Sequence, residues 1–336
     1  MKAVVCEQPF ELQIVDRPRP ELGLGQVRVR IHRVGLCGTD YHIFAGNQPF
    51  ASYPRVLGHE LAGEVLELPE DSKLSRGQLV TIIPYLSCGT CVACRKGKPN
   101  CCNQILVLGV HTDGGMCDEI VVPQTAVIDA TGLSLDQAAM VEFLAIGAHA
   151  VARAALCPGE RVLVVGAGPI GVAVALFARA DGARVTLLDT RQSRLDYARD
   201  QLGFDDGIHA DEKAGDRLSD STAGDFYDAV FDATGNIHAM RAGLNYVAHG
   251  GRYILVGVAT DDLVFPDPEF HKREATLIAS RNALSVDFAR VIAALRDKTI
   301  PAEALHTHSV DADDLPRSVP ELIADADHVL KAIVTF

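Results

Sequence analysis

RVLVVGAGPIGVAVALFARADGARVTLLD, residues 161–189, changes period twice. RVLVV is a short β-branched run that stops on Gly166, and PIGVAVALFARA after it carries apolar residues at helical spacing. A second β-branched run, VTLL, then ends on Asp189. Strand, glycine turn, helix and strand in that order form a β-α-β unit, whose two strands lie parallel. Gly166, Gly168 and Gly171 stand in the GxGxxG register, with Pro169 and Ile170 opening the helix. Such glycines let backbone amides approach a pyrophosphate at a helix N-terminus, and an acid roughly 20 residues on accepts from the ribose hydroxyls. Asp189 occupies that place and would repel a 2′-phosphate, so the expected cofactor is NAD rather than NADP. Arg194, and Arg191 before it, sit close enough to meet the same cofactor. FDATG, with Thr234 and Gly235, and ILVGV, with Val256, Gly257 and Val258, close later strands whose carboxyl ends should reach the cofactor crevice.

The same alternation continues through FYDAVFDATG and GGRYILVGV, predicting a doubly wound parallel sheet. Before it the texture differs. KAVVC, QVRVRIHRV, GEVLEL, QLVTIIP and CDEIVVP are short strands between glycines and prolines, an all-β domain of barrel type. After it, FARVIAALRDKTI reads as a helix and KAIVTF as a strand that rejoins the first domain. The expected division is 1–152 with 286–336 as one domain and 153–285 as the other, consistent with a 336-residue chain too long for one core.

A net charge of −13 opposes attraction to nucleic acid or anionic lipid. The longest charge-free run, Val162 to Ala178, is interrupted by glycines and a proline and reads as a buried strand and turn rather than a membrane span. Nine cysteines without an export signal point to reduced thiols or bound metal, and to the cytoplasm.

Two groups of residues carry metal-ligand chemistry. Cys88, Cys91, Cys94 and Cys102, in CGTCVACRKGKPNCC, match a closed tetrahedral zinc site, with Cys101 an alternative to Cys102 on spacing alone. Four thiolates leave Zn²⁺ with a charge of −2, which Arg95, Lys96 and Lys98 offset. Cys6, Cys117 and Cys157 read as core residues. The second group lies in GLCGTDYHIFAGNQPFASYPRVLGHE, residues 35–60, where Cys37, His59 and Glu60 offer sulfur, nitrogen and carboxylate. Three protein ligands with an open fourth place is the catalytic arrangement, and Asp40 could fix the His59 ring. A zinc-binding module without enzymatic activity stays open at this point, although the charge and the glycine turn oppose it.

GLCGTD with GHE, the four-cysteine lobe and VVGAGPIG, in that order and spacing, resemble the zinc-dependent medium-chain alcohol and polyol dehydrogenases over essentially the whole chain. The resemblance implies an α/β architecture, a GroES-like β-barrel catalytic domain plus a Rossmann domain, two zinc ions per chain, NAD, and homodimers or homotetramers. By the same resemblance Cys37, His59 and Glu60 hold the catalytic zinc, the four cysteines the structural one, and Thr39 and His42 pass the substrate proton to solvent. Glu142, in VEFLAIGAHA, is implied as a distal zinc ligand or partner of the zinc water that yields to substrate. Phe143 stands where that branch carries proline. HxFxGNQPFxSYPRVLGHE, VLGVHTDGG and DPEFHKRE with SRNA are similar to the branch acting on L-galactonate-like aldonates, with Arg281 and His111 as expected substrate contacts. His271, Lys272 and Arg273 are expected on a solvated or subunit-facing surface. Threonine 3-dehydrogenase-type and sorbitol-type activities are the enzymatic alternatives.

Overall fold

A computed structural model describes all residues, Met1–Phe336, and divides into two compact units, Met1–Phe143 with Leu284–Phe336, and Leu144–Ala283. The sequence reading put these divisions at 152/153 and 285/286. The first falls instead inside the helix Val141–Ala154, because the change of rhythm at Pro158-Gly159 marks the first parallel strand and not the helix ahead of it.

In the first unit the central strand is Gln26–Gly35, which pairs antiparallel with Glu60–Glu67, Glu119–Pro123 and Lys331–Thr335. Leu79–Ile82 and Val127–Asp129 extend the sheet on one side and His306–Asp311 on the other. The last two strands of the chain run parallel to each other, which requires a crossover, and the helix Leu315–Ala324 provides it. Val27, Val29, Ile31 and Val34 are almost wholly buried in one core with Leu61, Val65, Val80, Ile82, Val122 and Val334. The closing strand therefore supplies core to the first domain, as KAIVTF suggested. A smaller sheet, Glu11–Asp16, Lys2–Gln8 and Arg55–Val56, carries the chain up to His59.

The second unit is a six-stranded parallel sheet. Numbered within the unit, Arg161–Val165 is first, and the spatial order is 3-2-1-4-5-6: Gly207–His209, Arg184–Asp189, Arg161–Val165, Tyr227–Asp232, Val247–Leu255, Thr276–Ala279. This is the doubly wound dinucleotide-binding order, and its switch point lies between Arg161–Val165 and Tyr227–Asp232. Val162, Leu163 and Val164 are fully buried without alternation, as expected of a strand covered on both faces. The helix Pro169–Ala180 follows the glycine turn, and a Cβ on Gly171 would sit 1.7 Å from the Gly166 carbonyl oxygen. Only glycine permits that helix to pack so close.

Of the cysteines assigned to the core, Cys6 and Cys117 are buried but Cys157 is exposed. It lies in the turn that leads into Arg161–Val165, where Gly159 needs a left-handed backbone and the chain stays at the surface.

Candidate metal centres and dinucleotide turn

The register of three strands assembles the first centre. Gly35 lies opposite Glu60 on one neighbour and opposite Ile333 on the other. Cys37, His59 and Lys331, each within two residues of those positions, are thereby gathered at one end of the sheet. Gly35 has to lack a side chain, because a Cβ there would meet Glu60 Oε2 at 2.1 Å. The ligand atoms of Cys37, His59 and Glu60 all lie within 4.8 Å of one another. One thiolate, one imidazole and one carboxylate gathered within that reach are donors of the kind and number that suit a zinc ion with bonds of about 2.0–2.3 Å. His59 is buried beside Cys37, and its Nδ1 has no hydrogen-bond partner.

Asp40 was expected to accept from the His59 ring, yet His59 Nδ1 stands 3.8 Å from Asp40 Oδ1, beyond hydrogen-bond range. Its carboxylate is taken up by backbone instead: Cys37 N donates to Oδ2 at 2.9 Å and Gly58 N to Oδ1 at 3.1 Å. Asp40 thus fixes the two chain segments that carry the ligands. It also starts the helix Gly38–Phe44, on which Thr39 is half-buried and His42 exposed, three residues apart on one face.

Two side chains at this centre were missed from sequence. Lys331 is 1% exposed, and its Nζ donates to both Glu60 oxygens at 2.7 Å and to the Leu36 carbonyl at 3.0 Å. The ammonium also lies 4.4 Å from the Phe143 ring centroid. The signal was present: one lysine in the apolar closing strand, a charge that cannot be buried unpaired. Tyr85 is the other. Its hydroxyl donates to Glu142 Oε1, and both residues are buried. Glu142, expected as a distal zinc ligand or a partner of the zinc water, lies outside the three clustered donors. The phenol engages one of Glu142's two carboxylate oxygens.

Burial drives the Glu142 carboxyl from 4.5 up to about 7; repulsion from Glu60 adds to this, while His59, the Tyr85 hydroxyl and Lys331 oppose it. A carboxyl with a higher value when folded holds its proton more tightly in the folded state. The metal-free protein should therefore lose stability as pH rises from about 4.5 to about 7. Glu142→Gln should flatten that slope, read from urea midpoints of the metal-free proteins across this window. Identical slopes in the two proteins would contradict the assignment.

The second centre holds the Sγ atoms of Cys88, Cys91, Cys94 and Cys102 within 4.8 Å of one another. Cys102 is buried and belongs to the set, whereas Cys101 is exposed and does not. Backbone amides turn inward to the sulfurs: Cys91 N donates to Cys88 Sγ at 3.4 Å, and Cys88 N and Gln104 N each donate to Cys102 Sγ at 3.3 Å. Hydrogen bonds from Thr90, then Cys91 and Cys102, lower the Cys88 thiol to about 6. Four cysteine sulfurs gathered in this way suit a closed thiolate site with no position left for substrate.

In the second unit, Gly166 has a left-handed backbone and Gly168 caps the helix that Pro169 and Ile170 begin. Asp189 is buried at the end of its strand, accepting from Ala167 N at 2.6 Å through Oδ2 and from Arg191 N at 2.8 Å through Oδ1. The acid and the glycine turn are therefore one hydrogen-bonded piece. A Cβ on Gly168 would lie 3.1 Å from an Arg194 guanidinium nitrogen, which places Arg194 over the turn. Thr234 N and Oγ1 both donate to Asp232 Oδ1, and Gly235 packs so tightly on Gly257 that a Cβ on Gly257 would meet Gly235 N at 2.4 Å. Val256 is half-buried beside this contact, and Val258 is 83% exposed. Arg281 also belongs to this unit, exposed just after the strand Thr276–Ala279.

His111 lies in the first unit, on the loop 107–116. Gly114 N, Met116 N and Gly115 N donate to the carbonyls of Val56, Leu57 and Gly58, tying that loop to the segment that leads into His59. His111 stacks on Phe50 with centroids 6.1 Å apart, and its Nδ1 accepts from Val107 N at 3.1 Å. In the neutral ring the proton then sits on Nε2.

Residues 23–132 match the alcohol dehydrogenase GroES-like domain, and residues 169–297 match the zinc-binding dehydrogenase domain. The chain is 42% identical to L-galactonate-5-dehydrogenase of Escherichia coli K12, with 100% of this chain and 99% of that protein aligned. It is 36% identical to L-idonate 5-dehydrogenase of Vitis vinifera over 77% of this chain and 74% of that one. Among solved structures, an Escherichia coli CFT073 protein described as a short chain alcohol dehydrogenase (rspB), complexed with NADH, superposes with a TM-score of 0.93 at 29% identity, covering 100% of this chain and 99% of its own.

Proposed function

The chain belongs to the zinc-type alcohol dehydrogenases with a GroES-like domain, and from that premise we propose that it oxidises a secondary hydroxyl of an L-galactonate-like sugar acid or a polyol to the ketone, with NAD as hydride acceptor. The observation that carries the chemistry is the cluster of Cys37, His59 and Glu60, three ligands of mixed type beside a separate four-cysteine site. The sugar-acid substrate class rests on the relatives at 42% and 36% identity.

Cys37, His59 and Glu60 would hold the catalytic zinc, and Cys88, Cys91, Cys94 and Cys102 the structural one. When bound, zinc supplies Lewis acidity toward the substrate oxygen and NAD takes the hydride. The chain's own residues do the rest. Lys331 holds Glu60 in place and Asp40 holds the backbone of Cys37. Thr39 accepts a hydrogen bond from the substrate hydroxyl and relays the proton by giving up its own, and His42, exposed on the same helix face, delivers the proton to water. His111, with its proton on Nε2, offers a donor to a substrate hydroxyl or carboxylate, and Arg281 offers a two-pronged donor to a carboxylate.

Gly166, Gly168, Gly171 and the start of the helix would cradle the NAD pyrophosphate, with Asp189 on the adenosine ribose and Arg194 beside it. Thr234, Gly235, Val256, Gly257 and Val258 would line the nicotinamide side. Losing the charge of Asp189 removes a charge-assisted hydrogen bond of about 1.5–3 kcal/mol, so Asp189→Asn should raise the Kd for NAD roughly tenfold to a hundredfold and narrow its lead over NADP. Calorimetric titration with each cofactor reads this directly, and an unchanged Kd ratio would count against the assignment.

No helix is long and apolar enough to cross a membrane. The proposed setting is the cytoplasm, with the chain acting as a homodimer or homotetramer. The substrate class is tested by NAD⁺ reduction on a panel of hexonates and the matching polyols, compared by kcat/KM. Preference for one hexonate supports a sugar-acid dehydrogenase; equal or better rates on the polyols would replace it with a sorbitol-type enzyme.

A further inference from the structure

Two buried carboxylates stand at the catalytic cluster, and each has its own keeper. Glu60 is gripped through both oxygens by Lys331, and Glu142 receives the hydroxyl of Tyr85 at Oε1. All four side chains are buried and belong to the same unit. Glu142 is close enough for its charge to act on His59 and for Glu60 and Lys331 to act on it in turn. Yet it stays outside the set of clustered ligands.

Charge shows why a keeper is needed. Zn²⁺ with the Cys37 thiolate, the Glu60 carboxylate and the Lys331 ammonium sums to one positive charge. An ionised Glu142 would cancel it, so the ion attracts that carboxylate into the fourth position, the place a substrate oxygen requires. A competing donor on Glu142 weakens this attraction without adding charge. Tyr85 is suited to the task because its phenol donates and carries no charge. It is also anchored, opening the short strand Tyr85–Leu86 that pairs with Leu106–Val107 and lying three residues before Cys88 of the closed lobe.

We propose that Tyr85 is a positioning residue that holds Glu142 off the catalytic metal, so that the fourth coordination place stays open to substrate. The inference rests on the reading that Cys37, His59 and Glu60 bind that metal. Its test therefore reads coordination rather than turnover alone.

Cobalt(II)-substituted protein is compared by visible absorption, and zinc release to a chelator is timed, for wild type, Tyr85→Phe, Glu142→Gln and the double variant. Freed from its donor, Glu142 should enter the metal's coordination in Tyr85→Phe. The cobalt d–d bands should shift, zinc release should slow by about tenfold or more, and kcat should fall. Glu142→Gln in the Tyr85→Phe background should restore the wild-type spectrum and release rate, which a loss of packing at Tyr85 would not allow. A Tyr85→Phe spectrum and release rate equal to wild type would overturn the proposal. Glu142→Gln alone keeps it falsifiable should Tyr85→Phe fail to fold: a shift of the wild-type spectrum would mean that Glu142 already ligates the metal, and no shift supports its being held away. Cobalt bands unchanged by Cys37→Ala would show instead that the metal-site reading itself is wrong.

Discussion

Lys331→Met should destabilise the metal-stripped protein by about 3–5 kcal/mol, the range for removing one partner of a buried ion pair. Glu60 is fully buried, and both of its oxygens accept from the Lys331 ammonium. The loss should shrink when zinc is present, because the ion gives Glu60 another cation to face. Pairing the change with Glu60→Gln should recover part of the loss, since the stranded charge is then gone. Urea unfolding of the two single variants and the double, with and without zinc, measures these differences. A loss below about 1 kcal/mol in the stripped protein would place Lys331 among pairs that are screened or solvated, against its 1% exposure.

Cys37→Ala should lower turnover by about a thousandfold or more while leaving the fold and the four-cysteine lobe intact. The estimate follows from the several kcal/mol that Lewis-acid stabilisation supplies, each 1.36 kcal/mol being a factor of ten. Cys37 is the softest of the three clustered donors and lies two residues past the strand end that also positions Glu60. The variant should retain one zinc per chain in place of two, with far-ultraviolet circular dichroism unchanged. Wild-type turnover with two zinc ions per chain would contradict the ligand assignment.

Four of the six strands of the Rossmann unit were legible because their signals are local, whereas the edge strands Gly207–His209 and Thr276–Ala279 were not read. A β-branched run, a glycine turn and an apolar helix occur within residues 161–180, and parallel strands buried on both faces cannot hide polar residues. Three short helices, Ala214–Ser221, Ile237–Gly243 and Leu315–Ala324, were less visible. The first is polar and short, the second follows a glycine turn, and the third contains Pro320. The cysteine lobe was legible for the same reason of locality, although only folding distinguishes the buried Cys102 from the exposed Cys101.

What sequence could not supply was pairing across distance. Lys331 reaches Glu60 over a separation of 271 residues and Tyr85 reaches Glu142 over 57. The first depends on strand register and the second on the docking of the helix Val141–Ala154, neither of which its segments encode alone. The Tyr85 contact of Glu142 is invisible from sequence for this reason, whereas the acid itself stands out in VEFLAIGAHA by resemblance. Asp40 was correctly expected near His59, but the amides of Cys37 and Gly58 take its oxygens first.

Titration of metal-stripped protein with zinc, following NADH formation from NAD⁺ and L-galactonate against zinc bound per chain, tests the account most directly. The two centres differ in kind, one closed by four thiolates and one open with three mixed ligands. The closed thiolate site should fill first, without activity, and turnover should rise only as the content passes from one zinc to two. Full turnover at one zinc or none would contradict the division of labour between the centres, and no NADH at two would contradict the proposed reaction on this substrate.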